Sequence, residues 1–364
     1  MIKKIYLIFF VSIIAVSTAF AQLQTNQQTR QPDSTHLAPG ATPDRRYTLD
    51  IHFNGFAFLD DHEYDALIPL RKTISGTRTE FDLGLNVDSL NHFVVGTNAL
   101  HEFGGIPYFV SVDPVAYYKF KNKHFMFFAG EFPRDSMLNY PRALLNDTIQ
   151  YYRPNVQGLL LSAKHKFGVE TGYIDWWSRQ TPTQRNEFMA GELGKFIPFS
   201  DHIFYITHFF LFQHDAGTKS DTAAPIRDSG GGQLRLGLDF SHKTFLDSLK
   251  IEAGGMVSEY RVRSEYSWRE SEGFVASVYV SRGRFSIFDE FYRGAPNFLV
   301  FGDPFYSKPI YNRLDFTYTA FLGSHLKGQF FLGLHQSPAR LSDSQPGFRV
   351  VYDFGRKVLA HFSD

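Results

Sequence analysis

The stretch RRYTLDIHFNGFAF, residues 45–58, alternates apolar and polar side chains. Tyr47, Leu49, Ile51 and Phe53 are apolar, and Thr48, Asp50, His52 and Asn54 between them are polar. Side chains of a strand point to opposite faces with period two, so this segment has one greasy face and one wet face. Whether the greasy face meets a protein core or lipid decides the fold.

The alternation returns along the whole chain. Phe81, Leu83, Leu85 and Val87 alternate with Glu80, Asp82, Gly84 and Asn86. Leu234, Leu236, Leu238 and Phe240 do so with Gln233, Arg235, Gly237 and Asp239. Leu314, Phe316, Tyr318 and Ala320 follow suit around Arg313, Asp315, Thr317 and Thr319. Phe348, Val350, Tyr352 and Phe354 close the series around Arg349 and Asp353. None of these segments has helical periodicity.

The connections form two classes that take turns. Tight ones fall at 88–90, 121–123, 166–168, 198–201, 242–247, 282–283 and 323–324. Long polar ones fall at 60–76, 133–153, 179–186, 215–230, 263–272, 293–309 and 337–346, with a short exception at 104–106. That parity gives about sixteen strands of roughly ten residues, with both ends of the chain on the tight-turn side. A sandwich has no reason to gather its short turns at one end, whereas an outer-membrane barrel does. Lipid also demands closure, because an open sheet edge would leave unsatisfied N–H and C=O groups in hydrocarbon. The expected fold is therefore all-β, a transmembrane antiparallel up-and-down β-barrel over residues 45–364. With 39 Phe and 19 Tyr the chain is rich in rings. Tyr117, Tyr118 and Phe120 by a tight turn, and Trp176 and Trp177 by a long loop, are expected in the interfacial girdles.

From Arg45 to Gly355 the chain resembles the porin-type outer-membrane barrels of Gram-negative bacteria. The stretch YRPNVQGLLLSAKHKFGVETGYIDWWSRQT is also similar to strands of porin and exopolysaccharide-export barrels, and it carries no residue-level site across. The resemblance implies an outer-membrane location and a channel for small polar solutes. The alternative is a barrel with a surface-binding or structural role, glycan or exopolysaccharide related, or a barrel hydrolase.

The N-terminus fits export. Lys3 and Lys4 precede an apolar run from Ile5 to Val16 and then Ala19-Phe20-Ala21, the pattern of a signal peptide over residues 1–21. Residues 22–44, rich in Gln, Thr, Pro and Asp, read as a disordered periplasmic arm. The chain has no cysteine, which excludes disulfides, thiolate metal sites and cysteine nucleophiles. Its 37 basic and 37 acidic residues balance, so nucleic acid is not an expected partner. Membrane lipid and a small polar solute are, and self-association stays open. No cofactor is expected.

On this alternation Asp50, His52, Glu80, Asp82, Arg235, Asp239, Arg313 and Asp315 project into the lumen as candidate pore-lining residues. A polar lumen also tolerates such charges without using them. The segment 130–155 is long and rich in large side chains, so some of them should be buried. Folded inward, its Arg134, Asp135, Tyr140, Arg142 and Arg153 would constrict the channel; packed over the mouth, the same segment would only cap it. The aromatic loop 293–309 poses the same choice.

For an enzyme the signals are thinner, and none is expected. LHQSPAR places His335 and Ser337 two apart on a strand, which resembles outer-membrane phospholipases, where the His is base and the Ser nucleophile. Pro338 and Ala339 replace the asparagine and glycine that follow the serine in that family, and His335 should face inward, away from lipid. The acid-rich DDHEYD, Asp60 to Asp65, lies in an expected surface loop and suits a rim protease site, cation binding or plain solvation. His208 and His214 are six apart with no further ligand specified, so no metal site is expected.

Overall fold

The computed structural model describes residues 47–64, 72–135, 137–220, 225–338 and 340–362. The expected signal peptide, the arm and Asp65 lie outside them. Antiparallel strands run as β1 Tyr47–Asp61, β2 Thr73–Asn86, β3 Asn91–Glu102, β4 Ser111–Lys121, β5 Phe125–Pro133 and β6 Asn155–His165. They continue as β7 Gly168–Ser178, β8 Glu187–Phe196, β9 Phe204–Asp215, β10 Arg227–Asp239, β11 Ser248–Val262 and β12 Arg269–Arg282. The last are β13 Phe285–Gly294, β14 Ile310–Leu322, β15 Leu326–Ser337, β16 Arg340–Asp353 and β17 Lys357–Phe362.

From β1 to β16 each strand pairs with its sequence neighbour, and β1 closes the cylinder by pairing with β16 and β17. Its upper half pairs with β16, from Asn54 opposite Asp353 to Asp60 opposite Gly347. Its lower half pairs with β17, from Tyr47 opposite Phe362 to Ile51 opposite Lys357. β16 and β17 are thus two pieces of one stave, broken at Phe354–Arg356, where Gly355 takes φ 68°. That backbone region costs glycine nothing and other residues a clash. The result is a closed sixteen-stave antiparallel barrel.

Period two governs burial. Along β2 the even-numbered residues from Ile74 to Gly84 are buried, and the odd-numbered ones from Thr79 to Leu85 are exposed. Phe81, Leu83, Leu85, Leu234, Leu236 and Leu238 all lie on the exposed apolar wall, the surface a barrel turns to hydrocarbon. Two expectations about loops and rings change. Residues 337–346 are not a long loop, because β15 and β16 meet there almost directly. Tyr117 and Trp177 leave the girdle for the lumen. Tyr117 accepts from the Arg356 guanidinium at 3.2 Å, and Trp177 packs on Phe301 at 4.0 Å. Tyr118 packs outside against Phe93, and Trp176 is 45% exposed on the outer face.

Two long loops fold back into the lumen. The one joining β5 to β6 carries a single helical turn, α1, Ile149–Tyr152. The one joining β13 to β14 carries a turn of 3₁₀ helix, Pro304–Ser307, capped by Asp303 accepting from the Phe305 N–H at 3.0 Å. Together they bury Leu138, Tyr140, Ala143, Leu144, Leu145, Phe305 and Tyr306 against Tyr292 and Tyr311 of the wall. Burial of such side chains is worth roughly 1.5–3 kcal/mol each, so the loops form a packed core inside the cylinder.

Candidate functional site

The plug is fastened by charge. Arg142 reaches Asp147 at 3.0 Å and Asp315 of β14 at 2.8 Å. Arg313, two residues before Asp315 on the same inward face, reaches Asp315 at 2.8 Å, Asp147 at 3.6 Å and Asp303 at 3.6 Å. The Asp303 N–H donates to the Arg142 carbonyl at 2.8 Å, and the Asn297 side chain donates to the Ala143 carbonyl at 2.9 Å. On the opposite wall Tyr151 donates to Asp60 at 2.8 Å, and Arg78 donates to the Tyr151 carbonyl at 2.6 Å. The first loop therefore spans the lumen from β1 and β2 to β14.

Burial would raise the Asp147 carboxyl, but Arg142 and Arg313 hold it well below the usual carboxylate range. Asp303 goes the other way, pushed up to about 6 by burial that outweighs Arg313. A folded value above the ordinary 3.8 means that the native state keeps this proton where the unfolded chain has lost it. Stability from Asp303 is thus full below about pH 4 and is lost as pH rises through 6, at most about 3 kcal/mol. Trp177, on Phe301 of the same loop, reports this packing. Its fluorescence melt should fall between about pH 4 and pH 6 in the wild type, and Asp303→Asn should flatten that fall.

All eight inward candidates are engaged by other side chains. Asp50 meets Arg356 at 2.9 Å and His92 at 3.2 Å. His52 bridges Asp82 at 3.0 Å and Asp353 at 3.1 Å, and Asp82 also meets Arg356 at 2.8 Å. Glu80 accepts from Asn98 at 3.2 Å. Arg235 meets Glu290 at 2.9 Å, and Asp239 faces Lys250 at 3.7 Å. Arg313 and Asp315 belong to the plug network. Six of the eight are buried, while His52 and Asp239 are half-buried.

The loop residues mostly hold the loop. The Arg134 guanidinium bonds Asp175 and donates to the Arg153 carbonyl at 3.2 Å. Tyr140 donates to the Phe210 carbonyl at 2.9 Å. Arg153 lies over the Trp177 ring at 4.4 Å. Asp135 is half-buried beside them. Arg356, in the break of the last stave, gave no sign in the alternation, because turn residues have no fixed face.

His335 is fully buried near the C-terminal end of β15. Its ring stacks on Phe305 at 4.1 Å and meets Tyr64 edge-on at 4.9 Å. Nδ1 lies 2.7 Å from the Tyr311 hydroxyl, and Nε2 has no hydrogen-bond partner among the described residues. Asp343 of β16 stands directly opposite His335. A register shift follows between His335 and Ser337, so the serine sits beside a bulge and is half-buried.

Among the described residues, two groups could hold a metal, with ligand atoms within 4.8 Å of one another: His52, Glu80 and Asp82 in the lumen, and Glu170, Glu192 and His208. In the second, His208 lies 3.0 Å from Glu170 across the bare backbone of Gly194. His208 and His214 do not converge; His214 pairs instead with Asp228 at 2.8 Å. In DDHEYD, Asp60 and His62 turn inward at 3.3 Å from each other rather than forming a solvated rim cluster.

A loop-deletion mutant of OmpT, an outer membrane protein of Vibrio cholerae, is similar in structure with a TM-score of 0.52 at 10% identity, covering 85% of this chain and 100% of that one. An anion-selective porin from Comamonas acidovorans gives 0.49 at 9%, covering 85% and 99%. At such identities the first likeness speaks for the barrel fold alone. No curated protein sequence matches the chain. A family model described as lipid A 3'-O-deacylase-type matches residues 41–343. That match overturns the expectation of no enzyme. The expectation rested on the inward face of His335 and on the missing asparagine and glycine, and neither the Tyr311 hydroxyl nor Asp343 opposite the ring can be read without strand register. The match spans most of the barrel, including His335 and Ser337, and on it the chain belongs to the lipid A 3'-O-deacylase-type family.

Proposed function

We propose that this protein is an outer-membrane hydrolase that removes an ester-linked acyl chain from a lipid A-type glycolipid. The family match carries the reading. The filling of the lumen by two packed loops supports it, since a plugged cylinder is a better scaffold than a conduit. His335 and Ser337 are the pair proposed for the chemistry. In the tautomer whose Nδ1–H donates to Tyr311, His335 Nε2 is the acceptor nitrogen, the state a general base needs. Ser337 Oγ attacks the ester carbonyl as Nε2 takes its proton, and the proton passes to the departing sugar oxygen. Water then repeats the sequence on the acyl-serine and frees the fatty acid. Tyr64 and Phe305 cover the ring, so an ester reaching Nε2 has to displace them.

Purified protein mixed with lipid A in detergent micelles tests this by mass spectrometry. Wild type should release an acyl chain, and Ser337→Ala and His335→Asn should each slow release by roughly a thousandfold. Intact lipid A after incubation with folded protein would refute the hydrolase, and full activity in both variants would refute the pair.

A second reading, passage of small polar solutes, draws on the charged inward face of the wall and on a cavity left beside the first loop. In it the loops narrow a path rather than seal it.

A further inference from the structure

Between the first inward loop and the wall of β1, β2 and β3 lies a cavity that the hydrolase reading does not use. Asn54 and Phe56 of β1 and Glu80 of β2 line one side; Arg134, Tyr140 and Gln150 of the loop line the other. Asn54 is only 1% exposed, yet neither its amide oxygen nor its amide nitrogen has a hydrogen-bond partner. Gln150 Nε2 and Arg134 Nη1 are buried and unpartnered as well. Burying such groups without a partner forfeits the hydrogen bonds they make in water. Four polar atoms stranded around one cavity are therefore a set awaiting a partner, not a packing accident.

We propose that this cavity binds a small neutral polyhydroxylated solute, a sugar or polyol. The stranded set holds three donors and one acceptor: Asn54 Nδ2, Gln150 Nε2, Arg134 Nη1 and Asn54 Oδ1. A hydroxyl both donates and accepts, so adjacent hydroxyls satisfy all four. A carboxylate would satisfy only the donors and would press its charge against Asn54 Oδ1. The cations around the cavity are already matched, Arg134 by Asp175 and Arg78 by Asp113 at 3.4 Å, so no surplus positive charge calls for an anion. Phe56 and Tyr140 supply apolar faces for the C–H side of a sugar ring. This site stands apart from His335, and its failure would leave the hydrolase reading untouched.

Calorimetric titration of the intact protein is the test. An amine-oxide detergent is needed, because the headgroups of maltoside detergents would compete. Glycerol, glucose and sucrose serve as neutral probes of rising size, with gluconate as the charged control. Saturable binding of at least one neutral probe is expected, with gluconate weaker than glucose. Asn54→Leu, which removes two of the four groups, should weaken binding about tenfold or more. Gln150→Leu, on the loop turn and away from the barrel wall, should weaken it about threefold or more, and it keeps the test decisive if Asn54→Leu does not fold. The proposal falls if no neutral probe binds, if gluconate is preferred, or if the variants that fold bind like wild type.

Discussion

Replacing residues 134–154 by a two-residue Asn-Gly turn should raise single-channel conductance in planar bilayers by roughly tenfold or more, because sixteen-stave cylinders enclose a wide lumen unless it is filled. Pro133 and Asn155 face each other directly in the β5–β6 pairing, so a two-residue hairpin closes the gap without disturbing either strand. The deletion removes Arg142 and Asp147 from the charge network and takes Leu138, Tyr140, Leu144, Leu145 and Tyr151 out of the lumen. It also unfastens the second loop, which is tied to the first through the Ala143 and Arg142 carbonyls and through the Asn146 N–H donating to the Phe301 carbonyl at 2.6 Å. Wild type measured alongside separates the two functional readings. Small, rare currents that grow on deletion fit a plugged hydrolase scaffold, and steady stepwise current from wild type fits the channel. Equal currents before and after would show that this loop does not fill the path.

How much of this was legible follows from what each signal encodes. Strand faces were, because period two is a local property: Asp50, Asp82, Arg235 and Arg313 could be turned inward from their own neighbours. Tight turns were too, since Asp88 and Asn122 announce themselves by side chains that bond the backbone two and three residues on. Partnership was not. Arg313 meets Asp147 and Asp303 across more than a hundred residues or from the next loop, and alternation says nothing about which inward residue lies opposite which. Ring placement failed where a local pattern met a crowded rim. Trp176 and Trp177 are adjacent, so one of them had to turn inward, and the neighbouring Asp175, accepting from the Trp177 indole N–H at 2.9 Å, belongs to the same inward set. The break in the last stave was invisible for a similar reason. Gly355 looks like the end of a strand, and only the pairing of both flanking pieces with β1 shows a single interrupted stave. The chemistry was the least legible. The His-x-Ser spacing was readable, whereas the hydroxyl that orients the ring comes from Tyr311 on another strand.

Arg313→Leu should release the plug, and it separates the worth of the ion network from the worth of the apolar packing around it. The guanidinium is the cation common to Asp147, Asp303 and Asp315, and Arg142 alone cannot reach all three. Removing one partner from a buried set leaves carboxylates uncompensated and typically costs about 3–5 kcal/mol, more than the leucine regains by filling the space. Because the strands stay hydrogen-bonded to their neighbours, the loss should appear in the loops first. The Trp177 melt should fall well below the melt of the barrel followed by far-ultraviolet circular dichroism, whereas wild type should show the two closer together. Lowering the pH to 5 should partly rescue the variant, since Asp303 then carries less charge among the crowded acids. Asp303 already tends toward its neutral form near pH 6 and would protonate more readily once Arg313 is gone. Coincident melts in the variant at pH 7 would mean that Phe305, Tyr306, Leu144 and their apolar neighbours hold the plug unaided, and that the network fixes where the loops sit without deciding whether they stay.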